Sequence, residues 1–348
     1  MRISFVYFLV SIIFNKSGLH IAPGIAVAAI TLVGQHRIVN LKGHFMKQLT
    51  VTSIFALLLA ITAFQTADAG SGNWSHTEGP HGGSVWALHT AGSNMMAGTL
   101  GQGVFFSTDG GANWLQSNLD NVSVYDFARG SGDTWFAATQ NGVYRSDNNG
   151  RGWRRLAQGM DETRAQAVIV HESGRLFAAT LAGGIYVSDN NGSSWSQANE
   201  GMELNFGYAL VALPNGRVLA GVSNRIYRTD DGGDLWVLAD TDFPHVRTNA
   251  FAVADGVVFA ATQDGVYRSA DNGETWQETG NQFADTEVYD IVATPNGLAA
   301  STRGGIYMST DNGDNWEPDG LAGQPVYSLG YGGGVLSAGA NPGVFVRN

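Results

Sequence analysis

Residues 107–114 read Ser-Thr-Asp-Gly-Gly-Ala-Asn-Trp, and this octapeptide decides the fold because five related copies follow it along the chain. The later copies begin at Ser146, Ser188, Thr229, Ser269 and Ser309, so that successive copies are 39, 42, 41, 40 and 40 residues apart. A regular period near 40 residues is typical of a β-propeller, in which each repeat forms one four-stranded blade.

All six copies share a hydroxyl, a carboxyl or carboxamide, a glycine and a tryptophan at fixed positions. These residues are Ser107, Asp109, Gly111 and Trp114; Ser146, Asn148, Gly150 and Trp153; Ser188, Asn190, Gly192 and Trp195; Thr229, Asp231, Gly233 and Trp236; Ser269, Asp271, Gly273 and Trp276; and Ser309, Asp311, Gly313 and Trp316. We predict a turn between the third and fourth strands, in which the oxygens accept backbone N–H groups and the glycine adopts a positive φ. The tryptophan is predicted to pack between blades.

The two asparagines among these positions favour a structural role for the octapeptides. Asn148 and Asn190 can accept turn hydrogen bonds, but an amide cannot serve as a catalytic acid or base. Calcium loops need further ligands and a closing glutamate, which the octapeptides lack.

A third-strand motif of the type Gly142-Val-Tyr144 occurs seven times, and its last copy, Gly343-Val-Phe345, is followed by no octapeptide. The segment around Trp74 resembles the tryptophan-led fourth strands. The sequence therefore predicts an all-β fold, a seven-bladed β-propeller of four-stranded blades. The N-terminal strand around Trp74 is predicted to complete the C-terminal blade and close the ring.

The composition excludes several classes of function. The chain has 47 Gly and 9 Trp but no Cys, which excludes a disulfide scaffold, a thiol nucleophile and cysteine-ligated metals. Its formal net charge of −11 argues against nucleic-acid binding, which needs a basic face. The histidines show no metal-ligand spacing, so we expect no metal and no cofactor.

The N-terminal region reads as a targeting segment followed by the propeller. Residues 46–69 contain a charged start, a short apolar run and an Ala-x-Ala site, which predict a secretory signal peptide cleaved between Ala69 and Gly70. Residues 1–45 are interpreted as an upstream extension from a mis-called start, with an authentic N-terminal membrane anchor as the alternative. Residues 70–348 would form a single propeller that is exported to the periplasm or the exterior of a bacterium and has no stable membrane insertion.

The octapeptides resemble the Asp-box, also called the bacterial neuraminidase repeat, over essentially all of residues 70–348. Asp-box propellers include sialidases, xyloglucan-type glucanases, sortilin-like receptors and photosystem II assembly factors. Sialidases carry an Arg-Ile-Pro-type motif on six blades, and the glucanases use two propellers; this sequence has neither feature. A single seven-bladed propeller with short loops is most similar to the assembly-factor group.

The resemblance to the assembly factors implies a non-catalytic exported scaffold that binds a protein partner. The alternative is a sialidase-like or glucanase-like glycoside hydrolase that acts on a polysaccharide or glycoconjugate, in which case the ligand is a glycan. An enzyme would need two carboxylates that converge on one mouth of the central tunnel.

Four arginines are the candidate binding residues. They fall in loops and turns at one end of the strands, opposite the octapeptides: Arg164, Arg225, Arg247 and Arg303. Arginine suits carboxylate, sulfate or phosphate groups. The alternative, which we favour on frequency, is four solvated arginines with separate acidic neighbours.

Large residues recur near the start of the innermost strands. Tyr125 and Tyr289 are the candidates for stacking on a ligand, although the recurrence of aromatic residues at this position favours inter-blade core. Asp126 and Asp290 follow them at equivalent positions in blades 2 and 6 and are weak catalytic candidates. We expect a raised pKa for both, but their separation across the tunnel argues against a catalytic pair.

Overall fold

The computed structural model describes residues 13–15, 18–20, 72–156, 158–160, 164–203, 205–280, 283 and 286–347. The chain divides into two compact units, residues 1–67 and 68–348. In the first unit, β1 (Ile13–Asn15) pairs antiparallel with β2 (Gly18–His20). The predicted signal peptide and its cleavage site at Ala69 and Gly70 lie outside the described residues. Nowhere in the described ranges is there a helix with the length and hydropathy needed to span a membrane.

The second unit consists of seven four-stranded antiparallel sheets, which are the blades. In chain order the strands are β3 (Trp74–His76); β4 (Val85–Ala91), β5 (Asn94–Thr99), β6 (Gly103–Ser107) and β7 (Leu115–Gln116) of blade 1; β8 (Val124–Arg129), β9 (Trp135–Thr139), β10 (Gly142–Ser146) and β11 (Arg154–Arg155) of blade 2; β12 (Ala165–Val170), β13 (Leu176–Thr180), β14 (Gly184–Ser188) and β15 (Ser196–Gln197) of blade 3; β16 (Gly207–Ala212), β17 (Val218–Val222), β18 (Arg225–Thr229) and β19 (Val237–Leu238) of blade 4; β20 (Thr248–Ala254), β21 (Val257–Thr262), β22 (Gly265–Ser269) and β23 (Gln277–Thr279) of blade 5; β24 (Val288–Thr294), β25 (Gly297–Thr302), β26 (Gly305–Ser309) and β27 (Glu317–Gly320) of blade 6; and β28 (Val326–Gly332), β29 (Val335–Ala340) and β30 (Val344–Arg347) of blade 7.

The N-terminal strand closes the ring, as the sequence predicts. The strand order in blade 7 is β28-β29-β30-β3, and Trp74 lies opposite Arg347 in the β3–β30 pair. The Trp74 indole N–H donates to the backbone oxygen of Asp319 in blade 6 at 2.8 Å, and Arg347 donates to the Asp319 carboxylate at 2.7 Å. The two ends of the propeller therefore meet in one blade and are tied to its neighbour. The prediction of a seven-bladed all-β ring is confirmed.

The hydrophobic core lies between the blades. The buried apolar residues form seven clusters, and each cluster joins two neighbouring blades. The second strands are the most enclosed: every residue of Trp135–Thr139 is buried, and Ala137 and Ala138 have no exposed surface. Alanine recurs at these positions because both faces of the sheet pack against another blade close to the axis, where space is smallest.

The octapeptides form the turns between third and fourth strands, and all six have the same hydrogen bonds. The hydroxyl accepts the N–H of the fifth-position glycine at 2.7–2.9 Å. The third-position side-chain oxygen accepts the N–H of the seventh residue at 2.7–3.0 Å, whether that side chain is Asp or Asn. Positions four and five both adopt positive φ, for example 55° at Asn149 and 78° at Gly150. This pair of left-handed residues explains why only Gly or Asn occupies the fourth position.

Removing the closing strand should destabilise the whole ring. We expect deletion of residues 70–79 to lower the melting temperature by about 10 °C, because it removes β3 and the packing of Trp74. Thermal unfolding followed by circular dichroism measures this. Trp86→Ala removes an equally large side chain from an exposed position and should change the melting temperature far less. An unchanged melt after the deletion would show that β3 does not close the ring.

Candidate functional site

Every innermost strand carries a β-bulge at the same register. The pairing of β4 with β5 shifts between Val85 and Ala87, and the other six innermost strands shift at the equivalent point. A bulge redirects one side chain out of the regular alternation. The bulged residues, called the bulge ring below, are Trp86, Tyr125, Gln166, Tyr208, Asn249, Tyr289 and Tyr327. They help to line a central cavity of about 650 Å³.

One side of the bulge ring is aromatic. Trp86 of blade 1 stacks on Tyr327 of blade 7, with ring centroids 5.3 Å apart and planes 13° apart. Tyr289 lies 5.6 Å from Tyr327, and Tyr125 lies 6.4 Å from Trp86. These four side chains form a continuous arc across blades 6, 7, 1 and 2. Trp86 is 38% exposed, so the expectation that these aromatics fill the inter-blade core is wrong for it, and the structure places the others at the cavity wall.

The other side of the bulge ring is polar and carries two of the predicted arginines. The Arg164 guanidinium lies over the Tyr125 ring at 4.2 Å and donates to the Gln166 carboxamide oxygen, in the orientation that satisfies both groups. Arg247 lies over Tyr208 at 5.4 Å, donates to Asn249 at 2.8 Å and forms a salt bridge with Glu287. The ring thus joins an aromatic arc to an arc with two guanidinium groups: Arg247 has a carboxylate partner, and Arg164 has none among the described residues.

The remaining two arginines lie outside the cavity wall. Arg225 begins β18 and is half-buried, whereas Arg303 is exposed on the turn between β25 and β26. Arg303 is near enough to Tyr289 for its charge to oppose the rise in the pKa of that phenol, which burial causes. Within the part of the chain that the structure describes, Arg164, Arg225 and Arg303 form no salt bridge. Among the described residues, Arg247 is the one of the four that has the acidic neighbour expected by the alternative of solvated arginines.

Asp126 and Asp290 connect neighbouring innermost strands. Asp126 accepts the N–H of Phe127 at 2.8 Å and that of Val168 in blade 3 at 3.0 Å. Asp290 accepts its own neighbour's N–H at 2.8 Å and that of Leu329 in blade 7 at 2.7 Å. Each carboxyl thus satisfies two backbone groups beside a bulge, and both side chains reach the cavity wall.

Burial raises the pKa of both carboxyls to about 7, and the backbone hydrogen bonds only partly oppose this effect. The charge of Asp290 makes a further small contribution to the raised pKa of Asp126. At neutral pH each group is therefore divided between its acid and carboxylate forms. Across the described residues, no group of three or more His, Asp or Glu side chains is arranged to hold a metal ion.

The cavity wall contains several residues that the sequence analysis did not name, beside those that it did name, which include Tyr125, Tyr289, Arg164 and Arg247. The sequence analysis did not select Glu287, Gln166 or Asn249, which hold the arginines in place. A signal existed for the last two, since each occupies the innermost-strand position that is aromatic in the other five blades. For Glu287, which precedes β24 in a loop, the repeat pattern gave no signal.

Comparison with known proteins supports the propeller fold. The sequence profile of the DUF6242 β-propeller domain matches residues 121–255. No curated protein sequence matches the chain. Many solved structures match, and together with the topology they define this chain as a seven-bladed β-propeller.

Three of the similar structures illustrate the range of proteins that share this fold. YCF48 from Cyanidioschyzon merolae has a TM-score of 0.63 at 17% identity, and the match covers 79% of this chain and 98% of YCF48. YCF48 bound to D1 peptide has a TM-score of 0.63 at 15% identity, and the match covers 80% of this chain and 98% of that chain. The extracellular domain of the putative one component system BT4673 from B. thetaiotaomicron has a TM-score of 0.66 at 13% identity, covering 80% and 40%. The GH74 xyloglucanase from Xanthomonas campestris has a TM-score of 0.57 at 17% identity, covering 79% and 53%. These identities establish a shared fold alone.

The raised pKa values predict a dependence of stability on pH. Since the folded-state pKa of Asp290 exceeds the usual 3.8, the folded state retains a proton that the unfolded chain releases. The contribution of Asp290 to stability therefore falls as pH rises from about 4 to about 7. His89 acts in the opposite direction, because burial, followed by the charge of Arg129, lowers its pKa to about 4.

Comparing a variant with the wild type isolates the carboxyl. We compare the free energy of unfolding of Asp290→Asn with that of the wild type at the same pH. We expect this difference to shift in favour of the variant by about 2 kcal/mol between pH 4.5 and pH 7.5. The value is smaller than the full pKa shift implies, because water reaches the cavity wall. Urea denaturation at the two pH values measures the difference. Ser328→Ala changes the equivalent position of blade 7 and removes no titratable group, so its difference should stay constant. A constant difference for Asp290→Asn would contradict the raised pKa.

Proposed function

We propose that this chain is an exported, non-catalytic β-propeller that binds a segment of a protein partner at the mouth of its central cavity. The observation that carries the proposal is the composition of the bulge ring. An aromatic arc lies beside Arg164, a guanidinium that has no carboxylate partner among the described residues. Such a surface suits a peptide segment with apolar side chains and a carboxylate.

The fold also supports a binding role. The similar structures include YCF48 bound to D1 peptide, which shows that one propeller of this shape takes a peptide ligand. The bulges hold the side chains of the ring on seven rigid inner strands, so little ordering of the site would accompany binding. We further propose that the six octapeptides are Asp-box turns with a structural role, because in each the side-chain oxygens of the first and third positions accept backbone N–H groups of the same turn.

Export remains part of this proposal. Residues 46–69 are proposed as the signal and 70–348 as the exported propeller, in the periplasm or outside the cell. The similar structures include extracellular domains, which is consistent with this location. Residues 70–348 contain 14 basic and 29 acidic residues, and all of the basic ones are arginine.

Photo-crosslinking tests the partner-binding mouth. Because residues 70–348 contain no lysine, amine-reactive reagents cannot report on this surface. We expect p-benzoylphenylalanine at Tyr289, in the full chain expressed in its own cell envelope, to trap a partner protein. The same group at Leu115, which is 61% exposed on an outer strand, should trap none.

Arg164→Ala should reduce the yield of that crosslink about tenfold, the expected effect of losing one charge-assisted hydrogen bond. Arg154→Ala is the matched control, since Arg154 is an exposed arginine on β11, away from the mouth. A crosslink from Leu115 alone, or one that is equally strong in Arg164→Ala, would refute binding at the mouth.

A glycoside hydrolase is the second candidate, favoured by the aromatic arc and by two carboxyls with a raised pKa. Against it, both carboxyls already accept two backbone N–H groups each. We expect the purified full chain to hydrolyse none of a panel of sialosides, xyloglucan, other glucans and chromogenic glycosides. Turnover that is lost in Asp126→Asn or Asp290→Asn would establish the enzyme and overturn the scaffold.

A further inference from the structure

On the face that carries the octapeptides, neighbouring blades are joined by ion pairs in a repeated position. Arg228 on the third strand of blade 4 pairs with Glu274 of blade 5 at 3.3 Å, and Arg268 of blade 5 pairs with Asp314 of blade 6 at 2.6 Å. In both cases the acid is the sixth residue of the next blade's octapeptide. Each arginine directly precedes the octapeptide of its own blade and pairs with the equivalent residue of the second strand, Leu219 or Phe259.

Between blades 1 and 2 the arginine lies in the octapeptide, and the third strand of the preceding blade carries no charge at this position. Phe106 of blade 1 occupies the position that Arg228 and Arg268 have in their blades. It lies opposite Met96 in the second strand, as Arg228 lies opposite Leu219 and Arg268 opposite Phe259. Arg151 is the sixth residue of the blade 2 octapeptide, where the ion-paired blades have an acid. Its guanidinium lies 5.9 Å from the centre of the Phe106 ring. At these two positions the interface therefore has an aromatic ring and a cation, where the ion-paired interfaces have a cation and a carboxylate.

The same interface holds an open cavity of about 330 Å³. A second cation, Arg129, lies over the Trp135 ring at 5.7 Å on its wall. Phe106, Trp135 and the methionines Met95 and Met96 provide the apolar part of the lining. Neither Arg129 nor Arg151 forms a salt bridge with any described residue. By contrast, arginines at the interfaces of blades 3 and 4, 4 and 5, and 5 and 6 do form salt bridges.

The other titratable groups facing the cavity do not neutralise both cations. Asp133 lines the cavity and accepts a hydrogen bond from Asn149 at 2.7 Å, and it forms no salt bridge with Arg129 or Arg151. His89 packs against Trp135 with ring centroids 4.3 Å apart, and burial keeps its pKa near 4, so it is neutral at physiological pH. Two arginines and one aspartate leave an excess of positive charge beside two aromatic rings.

We propose that the cavity between blades 1 and 2 binds a small organic carboxylate with a flat apolar body. Arg129 and Arg151 would hold the carboxylate, because guanidinium groups match its geometry. The apolar body would pack against Phe106 and Trp135. The volume lies at the lower end of the range for small-molecule sites, which fits a ligand of about ten non-hydrogen atoms. This site lies at the opposite end of the strands from the bulge ring and does not depend on the proposed function.

Isothermal titration of the purified full chain with benzoate, and with benzamide as the neutral isostere, tests the proposal. We expect benzoate to bind with a dissociation constant at or below about 1 mM. Benzamide should bind at least tenfold more weakly because it lacks the charge. Arg129→Gln and Arg151→Glu should each weaken benzoate binding at least tenfold.

Two further variants separate loss of the site from loss of the fold. Arg155→Gln removes an exposed arginine of the same blade that lies outside the cavity and should leave benzoate binding unchanged. The double variant Phe106→Arg with Arg151→Glu rebuilds the ion pair of the other interfaces, so it should keep the wild-type melting temperature and lose binding. The proposal fails if benzoate gives no binding heat, if benzamide binds equally well, or if the arginine variants bind as wild type does.

Discussion

The structure depends on the burial of both faces of every blade. A single four-stranded sheet of this chain has an apolar surface on each side, and its second strand is enclosed completely only when two neighbours are present. Each of the seven core clusters formed by the described residues therefore belongs to two blades. A ring is the arrangement that supplies every blade with two neighbours and leaves no apolar face in water.

This repetition of the backbone creates equivalent positions, and the differences among side chains at those positions create the candidate sites. At the bulge, four adjacent blades present an aromatic ring and the other three present Gln166, Tyr208 and Asn249, which divides the cavity wall into an aromatic arc and a more polar one. At the sixth octapeptide position, acids join three blades to their predecessors, whereas Arg151 faces an aromatic ring. Both candidate sites are departures from the repeat.

The sequence predicted the features that depend on local, repeated chemistry. Six octapeptides and a seventh third-strand motif were sufficient for the number of blades and for the closing role of Trp74. The orientation of Trp86 was not predictable, because a bulge breaks the two-residue alternation from which buried and exposed faces are inferred. The salt bridge from Arg247 to Glu287 and the pairing of Phe106 with Arg151 cross between blades, so they follow from the packing of the ring and not from any one repeat.

Closing the ring with strands that are far apart in the sequence has a consequence for the time at which closure becomes possible. Ser75 pairs with Val346, a partner about 270 residues further along the chain. At ribosomal rates of about 5–20 residues per second, β3 waits roughly 15–55 s before its partner strand exists. During that interval blades 1 to 6 can assemble in order while blade 7 cannot. The synthesis of β30 therefore determines when the chain can change from an open row of blades into a closed ring.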